Sequence, residues 1–142
     1  MDFQKITQQR WYDNKTPLEE DEIFNISTRT HIKRLKELFP VQKARLSLNC
    51  GCWRGGQKNI FGPSIGMDIS LENIRSFKDA GGQGVVSDME FLPFKDDTFD
   101  VVYGFGILHH LDDIEKGVKE AVGVLKERGY IAFRGENNAT PR

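Results

Sequence analysis

The sequence contains little cysteine and histidine, which limits the kinds of site that it can form. Among 142 residues there are two cysteines, Cys50 and Cys52, and three histidines. A single intervening residue disfavours a disulfide between the two cysteines. Two thiols are also too few for a structural zinc site. We therefore expect small loop residues in a reducing cytoplasm and no bound metal.

The sequence also lacks a long apolar run and an excess of charge of either sign. No apolar run approaches the roughly 18 residues that span a bilayer, and residues 1–5 lack a signal peptide's apolar core. The net charge is −1, which provides no bulk attraction for nucleic acid. We expect a cytoplasmic protein that binds neither a membrane nor nucleic acid.

What the sequence does contain is a strand-like run that enters a loop of small residues. Leu46 and Leu48 alternate with polar residues, and Cys50-Gly51-Cys52 follows them. This pattern predicts a buried strand and a tight loop. Glycine lets a ligand approach the backbone, and open α/β sheets bind nucleotides at the carboxyl ends of their strands. A glycine-rich turn without a ligand is the alternative interpretation.

A carboxylate downstream of the loop favours a ligand. Asp68 ends a second apolar run and lies 19 residues beyond Asn49. An acid about 20 residues after a glycine loop can accept hydrogen bonds from ribose hydroxyls. The loop and the acid together predict an adenosine-containing ligand. A nicotinamide-dependent dehydrogenase is disfavoured, because Cys52-Trp53-Arg54 follows Gly51 and interrupts any G-x-G-x-x-G run.

Residues 45–134 resemble a class I S-adenosylmethionine-dependent methyltransferase of the broad small-molecule type. In that family the first strand and loop usually read as an acid, an apolar residue and then Gly-Cys-Gly-Thr-Gly. Here Ser47 replaces the acid, Asn49 the first glycine and Trp53 the third. The other matching phrases are Ser64–Ser70, Asp88-Met89-Glu90-Phe91-Leu92-Pro93-Phe94 and Asp96–Gly104.

The resemblance implies a Rossmann-like, doubly wound parallel α/β sheet with strand order 3-2-1-4-5. Apolar periodicity predicts helices at 28–39, 71–80 and 112–126, strands at 84–88 and 130–134, and a turn at 127–129. Full-length family members add a 7-6 strand pair that this chain would lack. We expect truncation, a diverged minimal domain, or a second copy or partner chain on the exposed edge of the fifth strand.

The resemblance also predicts two regions in the chain. Residues 1–40 form an N-terminal helical or lid segment, and residues 41–142 form a cofactor-binding methyltransferase core that is incomplete at its C-terminal end. In related enzymes the segment before the first strand folds over the pocket, so Trp11 and Tyr12 are candidate lid residues. Aromatic side chains packed on the sheet edge are the alternative.

The family pattern also implies which residues hold the cofactor, S-adenosylmethionine. Asn49, Cys50 and Gly51 would contact its methionine end through their backbone, and Asp68, with Ile69 beside it, would hold the ribose. Asp88 would accept a hydrogen bond from the adenine amino group, because a carboxylate can only accept. A strand-end cap is the alternative role for that acid.

Apolar and histidine side chains complete the predicted site. Met89 and Phe105 are candidates for flanking the adenine ring or the methyl group. His110, in the pair His109-His110, is the candidate catalytic residue, because an imidazole with a pKa near neutrality could orient an acceptor or take its proton. A structural histidine bonded to a backbone carbonyl is the alternative.

The resemblance predicts an enzyme that transfers the methyl group of S-adenosylmethionine to a small-molecule acceptor. The alternative is a methyltransferase-like protein that no longer catalyses and acts as a binding or interaction subunit. Ser47, Asn49 and Trp53 favour the alternative, because they depart from the family loop. Asp68 and Asp88 oppose it, because both lie where cofactor recognition needs a carboxylate.

Overall fold

The computed structural model describes residues 29–37, 44–53, 55 and 58–134. Within these residues the chain alternates strands and helices. In chain order the longer elements are helix α1 (29–37), strands β1 (Ser47–Cys50) and β2 (Ser64–Asp68), helix α2 (Leu71–Asp79), strands β3 (Gln83–Val86) and β4 (Phe99–Phe105), helix α3 (Ile114–Val124) and strand β5 (Leu125–Arg134). Short 3-10 helices lie at Met89–Phe91 and Leu108–His110.

The five strands form one parallel sheet in the order β3-β2-β1-β4-β5. Ser47 of β1 pairs with Ser64 of β2 on one side and with Val101 of β4 on the other, so β1 lies between these two strands. The strand order reverses between β1 and β4, which is the topological switch point of the sheet. This confirms the predicted fold class and strand order. Among the described residues, β5 pairs only with β4, and the predicted partner for its outer edge stays a prediction.

Both faces of the sheet are covered by apolar side chains, as expected for a parallel sheet. On one face Leu48, Met67 and Val102 pack with Ala121 and Val124 of α3. The opposite face has a second cluster. It contains Phe61, Val101, Tyr103 and Phe105, with Ile32 and Leu35 of α1 packed against them. No helix among the described residues is long and apolar enough to cross a membrane.

Helix α2 is held on the sheet by the ring of Phe77, which is fully buried. Three glycines surround this ring: a Cβ on Gly66 would lie 2.8 Å from it, one on Gly82 would overlap it, and one on Gly84 would lie 3.3 Å away. The first two positions leave no room for a side chain, because real Cβ contacts are never that short. Glycine therefore allows close packing here.

The junction of α3 and β5 differs from the sequence prediction. Helix α3 ends at Val124 and β5 begins at the next residue, so the predicted turn at 127–129 lies inside the strand. Phe99 pairs with Leu125 and Val101 with Tyr130, so five residues of β5 span two of β4 in a bulge. The chain is tightly packed within the bulge, because a Cβ on Gly129 would clash with the Leu125 side chain and the Asp100 carbonyl oxygen.

Asp100 joins the starts of three strands at this end of the sheet. Its Oδ2 accepts hydrogen bonds from the main-chain N–H groups of Arg45 (2.9 Å) and Leu46 (3.1 Å), and its Oδ1 pairs with Lys126 Nζ at 3.3 Å. Burial alone would raise the pKa of Asp100, but the two amides and the lysine outweigh it and lower that pKa. The ionised carboxylate therefore stabilises the folded sheet.

We expect Asp100→Ala to lower the free energy of unfolding by about 1–2 kcal/mol, because two main-chain donors and one ammonium lose a charged acceptor. Since the folded-state pKa is depressed, this contribution is present above the unfolded pKa of about 3.9 and is lost as pH falls through the folded value. Urea unfolding at several pH values measures it. Asp96→Ala, at an exposed turn position, is the control. A difference between wild type and Asp100→Ala that does not shrink as pH falls below about 3.9 would contradict this account.

Candidate active site

The loop after β1 is fastened to the end of β2. Gly51 has a φ of +68°, which glycine adopts without strain. The main-chain N–H groups of Gly51 and Cys52 both donate to the carbonyl oxygen of Met67, at 2.8 and 3.0 Å. A Cβ on Gly51 would lie 3.1 Å from Ile107 Cδ1. The loop thus lies between the end of β2 and the segment that follows β4.

Asn49 and Cys50, the two predicted loop contacts that precede Gly51, lie within β1. Both residues are completely buried in this conformation, so a ligand contact through their main-chain atoms stays a prediction. Burial raises the pKa of the Cys50 thiol, and burial with the nearby Asp68 carboxylate raises that of Cys52. Both thiols are therefore neutral and unreactive. No group of three or more metal-ligating side chains occurs in the described part of the chain.

Asp68 ends β2 and is 7% exposed. Its Oδ2 accepts a hydrogen bond from Trp53 N–H at 3.1 Å. Its Oδ1 accepts from Ser70 N–H at 2.9 Å and from the Asn73 side-chain Nδ2 at 3.3 Å. The carboxylate thus joins the loop, β2 and the start of α2. A buried carboxylate needs such donors, because leaving its charge unsolvated costs several kcal/mol.

Trp53, one of the departures from the family loop, has a φ of +52°. An L-residue with a side chain adopts this conformation at a cost of about 1 kcal/mol or more. With Trp53 donating to Asp68, the N–H groups of residues 51, 52 and 53 all bond within the protein. The three consecutive loop amides therefore do not point to a ligand in this conformation.

Asp88 lies beyond β3 on the same edge of the sheet as Asp68. Ser87 N–H, next to Asp88, donates to the Asp68 carbonyl oxygen at 2.9 Å. Asp88 caps the 3-10 helix at Met89–Phe91, with its Oδ1 accepting from Glu90 N–H at 2.9 Å. The side chain is only half-buried, so a carboxylate that caps this turn can also meet a ligand.

The three predicted apolar contacts occupy different environments. Ile69 is half-buried beside Asp68. Met89 is 2% exposed and packs in the core, and Phe105 is 5% exposed within the cluster around Tyr103. The His31 ring of α1 meets the Phe105 ring edge-on at 6.5 Å. Their roles toward a cofactor stay predictions. The lid candidates Trp11 and Tyr12 lie outside the described residues.

Glu90 is a buried acid to which the sequence analysis assigned no role. It is 4% exposed, and its two carboxylate oxygens accept from the main-chain N–H groups of Asp112 and Asp113, each at 3.2 Å. These residues lead from the histidine pair into α3. Glu90 therefore fixes the segment after β4 to the one after β3. An acid between Met89 and Phe91, in a largely apolar stretch of sequence, is a signal from which the burial of Glu90 could have been predicted.

His110 lies in the 3-10 helix after β4. Its main-chain N–H donates to the Ile107 carbonyl oxygen at 3.0 Å, which ties it to the residue that lies against Gly51. Burial, with a smaller effect from neighbouring His109, lowers the pKa of His110 to about 4. This differs from the expected value near neutrality, because the fold partly buries the ring. At pH 7 the imidazole is neutral and can accept a hydrogen bond, although it is a weak base.

Comparison with known proteins identifies the family. The fold and the edge that bears Gly51, Asp68 and Asp88 are those of a nucleotide-binding α/β domain. The family described as a methyltransferase domain matches residues 48–133, more than half of the chain. The chain belongs to this family, which confirms the resemblance found in the sequence.

One sequence relative and two solved structures illustrate the similarity. A proposed methyltransferase of Encephalitozoon cuniculi, ECU09_1500, is 32% identical over 136 residues, covering 91% of this chain and 61% of that protein. Magnesium protoporphyrin IX methyltransferase from Synechocystis, solved with bound S-adenosylmethionine, superposes with a TM-score of 0.68 at 13% identity, covering 88% and 73%. A methyltransferase from Thermotoga maritima gives 0.66 at 23% identity, covering 91% and 57%.

These structural likenesses show the fold. The chain spans from about a third to about three fifths of the length of the curated relatives that it matches first. The activity, substrates and partners of the whole protein are therefore matters for proposal.

Glu90→Ala should lower the free energy of unfolding by about 2–3 kcal/mol, because two main-chain donors lose a buried charged acceptor. Thermal or urea unfolding measures the change. Glu115→Ala removes an exposed acid paired with Lys119 on the same helix and should change stability by less than about 0.5 kcal/mol. Equal effects of the two substitutions would show that the Glu90 contacts are not stabilising.

His110 should titrate near pH 4 in the folded protein, and NMR of its ring protons, assigned through loss of the signal in His110→Gln, measures this. The folded-state pKa lies below the unfolded value of about 6.5. The unfolded chain therefore binds more protons between these values, and wild-type stability falls as pH drops from 6.5 to 4. His110→Gln should reduce that fall. A midpoint near 6.5 would refute the burial argument.

Proposed function

We propose that this chain binds S-adenosylmethionine and transfers its methyl group to a small-molecule acceptor. The observation that carries the proposal is the fixed Asp68 carboxylate at the end of β2, held by three donors beside the Gly51 loop. The strand order of the sheet reverses between β1 and β4, so a crevice lies between the carboxyl ends of these two strands, next to Asp68. Open parallel α/β sheets bind nucleotide ligands in a crevice of this kind.

The residues present suit two parts of the cofactor, its ribose and its adenine ring. Asp68 would accept hydrogen bonds from the ribose hydroxyls, and half-buried Asp88 would accept one from the adenine amino group. The main chain of residues 49–51 would meet the methionine end. Gly51 suits this approach, because a side chain there would also crowd Ile107. The remaining apolar candidates, Ile69, Met89 and Phe105, would shield the site.

The cofactor supplies an activated methyl group, because its sulfonium makes the methyl carbon electrophilic. The protein's task is to align the acceptor with that carbon and to exclude water. In this proposal His110 has an orienting role. A neutral imidazole can accept a hydrogen bond from an acceptor's N–H or O–H group and can take its proton as the bond forms.

A small acceptor is favoured by charge. The net charge of −1 offers no general attraction for RNA. Relatives are named for different reactions: one from Arabidopsis is a tRNA methyltransferase, and one from zebrafish is an arginine hydroxylase. Family membership therefore leaves the reaction and the substrate open, and the preference for a small acceptor rests on the chain's own charge.

A non-catalytic interaction subunit is the second candidate, and one observation favours it. The N–H groups of Gly51, Cys52 and Trp53 are engaged within the protein, and Trp53 stands where the family usually has glycine. These amides offer no donors to the cofactor carboxylate unless the loop rearranges. A structural neighbour from Haloferax volcanii was solved in complex with the Trm112 activator, and in this second proposal the chain binds a protein partner.

Calorimetric titration with S-adenosylmethionine, and separately with S-adenosylhomocysteine, tests the proposal. We expect saturable binding that Asp68→Ala weakens by about tenfold to a hundredfold, the range of a lost charge-assisted hydrogen bond or two. Asp79→Ala, at the exposed end of α2, is the matched control and should bind normally. No binding by a folded chain would reject the methyltransferase proposal and favour the interaction subunit.

A further inference from the structure

We propose that Asn73 is a positioning residue whose side-chain amide holds the Asp68 carboxylate in the orientation that accepts ribose hydroxyls. Asn73 is the third residue of α2, five residues beyond Asp68, and is 1% exposed. No part of the sequence motif indicated this role. The inference rests on the proposed cofactor function and adds a specific residue to it.

The geometry links the amide directly to one carboxylate oxygen. Asn73 Nδ2 donates to Asp68 Oδ1 at 3.3 Å, and the Asn73 main-chain N–H donates to the Ser70 hydroxyl at 3.2 Å. Ser70 N–H donates to the same Oδ1 at 2.9 Å. The start of α2 therefore fixes Oδ1 from two sides. Because Oδ1 and Oδ2 belong to one planar group, fixing Oδ1 also sets the direction in which Oδ2 faces.

The other half of the amide points to a role beyond folding. Asn73 Oδ1 is buried and has no hydrogen-bond partner among the residues that the structure describes. A buried acceptor without a partner destabilises a fold by about as much as a hydrogen bond to a charged group stabilises it. The net contribution of the amide to folding is therefore small. Because Asn73 is 1% exposed, an apolar side chain of similar size can replace it without adding apolar surface to solvent.

Because the two contributions of the amide to folding nearly cancel, one substitution can change ligand affinity without a large change in stability. Asn73→Leu removes the unpartnered oxygen and keeps the volume, so the thermal midpoint should stay close to that of the wild type. It also removes one of the three donors to Asp68, so the carboxylate is held only by the main-chain N–H groups of Ser70 and Trp53 and its orientation is less restricted. We expect affinity for S-adenosylhomocysteine to fall about tenfold, the equivalent of one net hydrogen bond to a charged group. Ser76→Ala, one turn further along α2, should leave affinity unchanged.

A double-mutant cycle distinguishes positioning from a separate contact. If Asn73 acts through Asp68, then Asn73→Leu should change affinity in the wild-type protein and leave it nearly unchanged in Asp68→Ala. Equal losses in the two backgrounds would overturn the proposal. Asn73→Ala serves if the leucine variant does not fold, and failure of both variants to fold would also overturn it, because the amide would then be needed for folding.

The outcome is distinguishable from failure of the proposed function. If the wild-type chain does not bind S-adenosylhomocysteine, the cofactor proposal fails, and this inference fails with it. If the wild type binds and Asp68→Ala weakens binding, while Asn73→Leu binds as tightly as the wild type, only the positioning role is rejected.

Discussion

The whole candidate site depends on satisfying one buried carboxylate. Asp68 must be surrounded by donors, because a charge removed from water destabilises the fold unless it is paired or hydrogen-bonded. The donors come from the loop after β1 and from the first turn of α2. The same contacts that make the charge tolerable therefore also set the shape of the crevice. A ligand that adds donors joins an arrangement that already exists.

Much of the fold could be predicted from local pattern. Apolar periodicity placed α2, α3 and β3. Boundaries moved by one or two residues, as they usually do. The bulge in β5 was missed because Glu127-Arg128-Gly129 has the composition of a turn. Its place in the strand is decided by packing between Leu125 and Gly129 and by the pairing with β4, which lies far away in sequence.

The candidate site also has residues that the sequence indicated and properties that it did not. Spacing predicted Asp68 beside the Gly51 loop, and the family resemblance added Asp88. The three residues lie at one edge of the sheet, because the carboxyl ends of parallel strands meet there, and their roles toward a cofactor stay predictions. Glu90 was missed because its donors lie more than 20 residues further along the chain. The lowered pKa of His110 was missed for a related reason, since the burial that lowers it exists only in the folded chain. Motifs fix which groups meet, whereas tertiary structure fixes their charge state and orientation.

The ring of Phe77 and the glycines packed around it have a consequence for how this protein can change in evolution. Gly82 has no space for a Cβ while the ring is present, because the three nearest atoms all belong to Phe77. A smaller residue at 77 would open a cavity that glycine cannot fill. Single replacements at 77 or 82 are therefore disfavoured, whereas a paired change, with a smaller residue at 77 and alanine at 82, conserves volume. These positions should covary among homologues, and this packing unit should be inherited together.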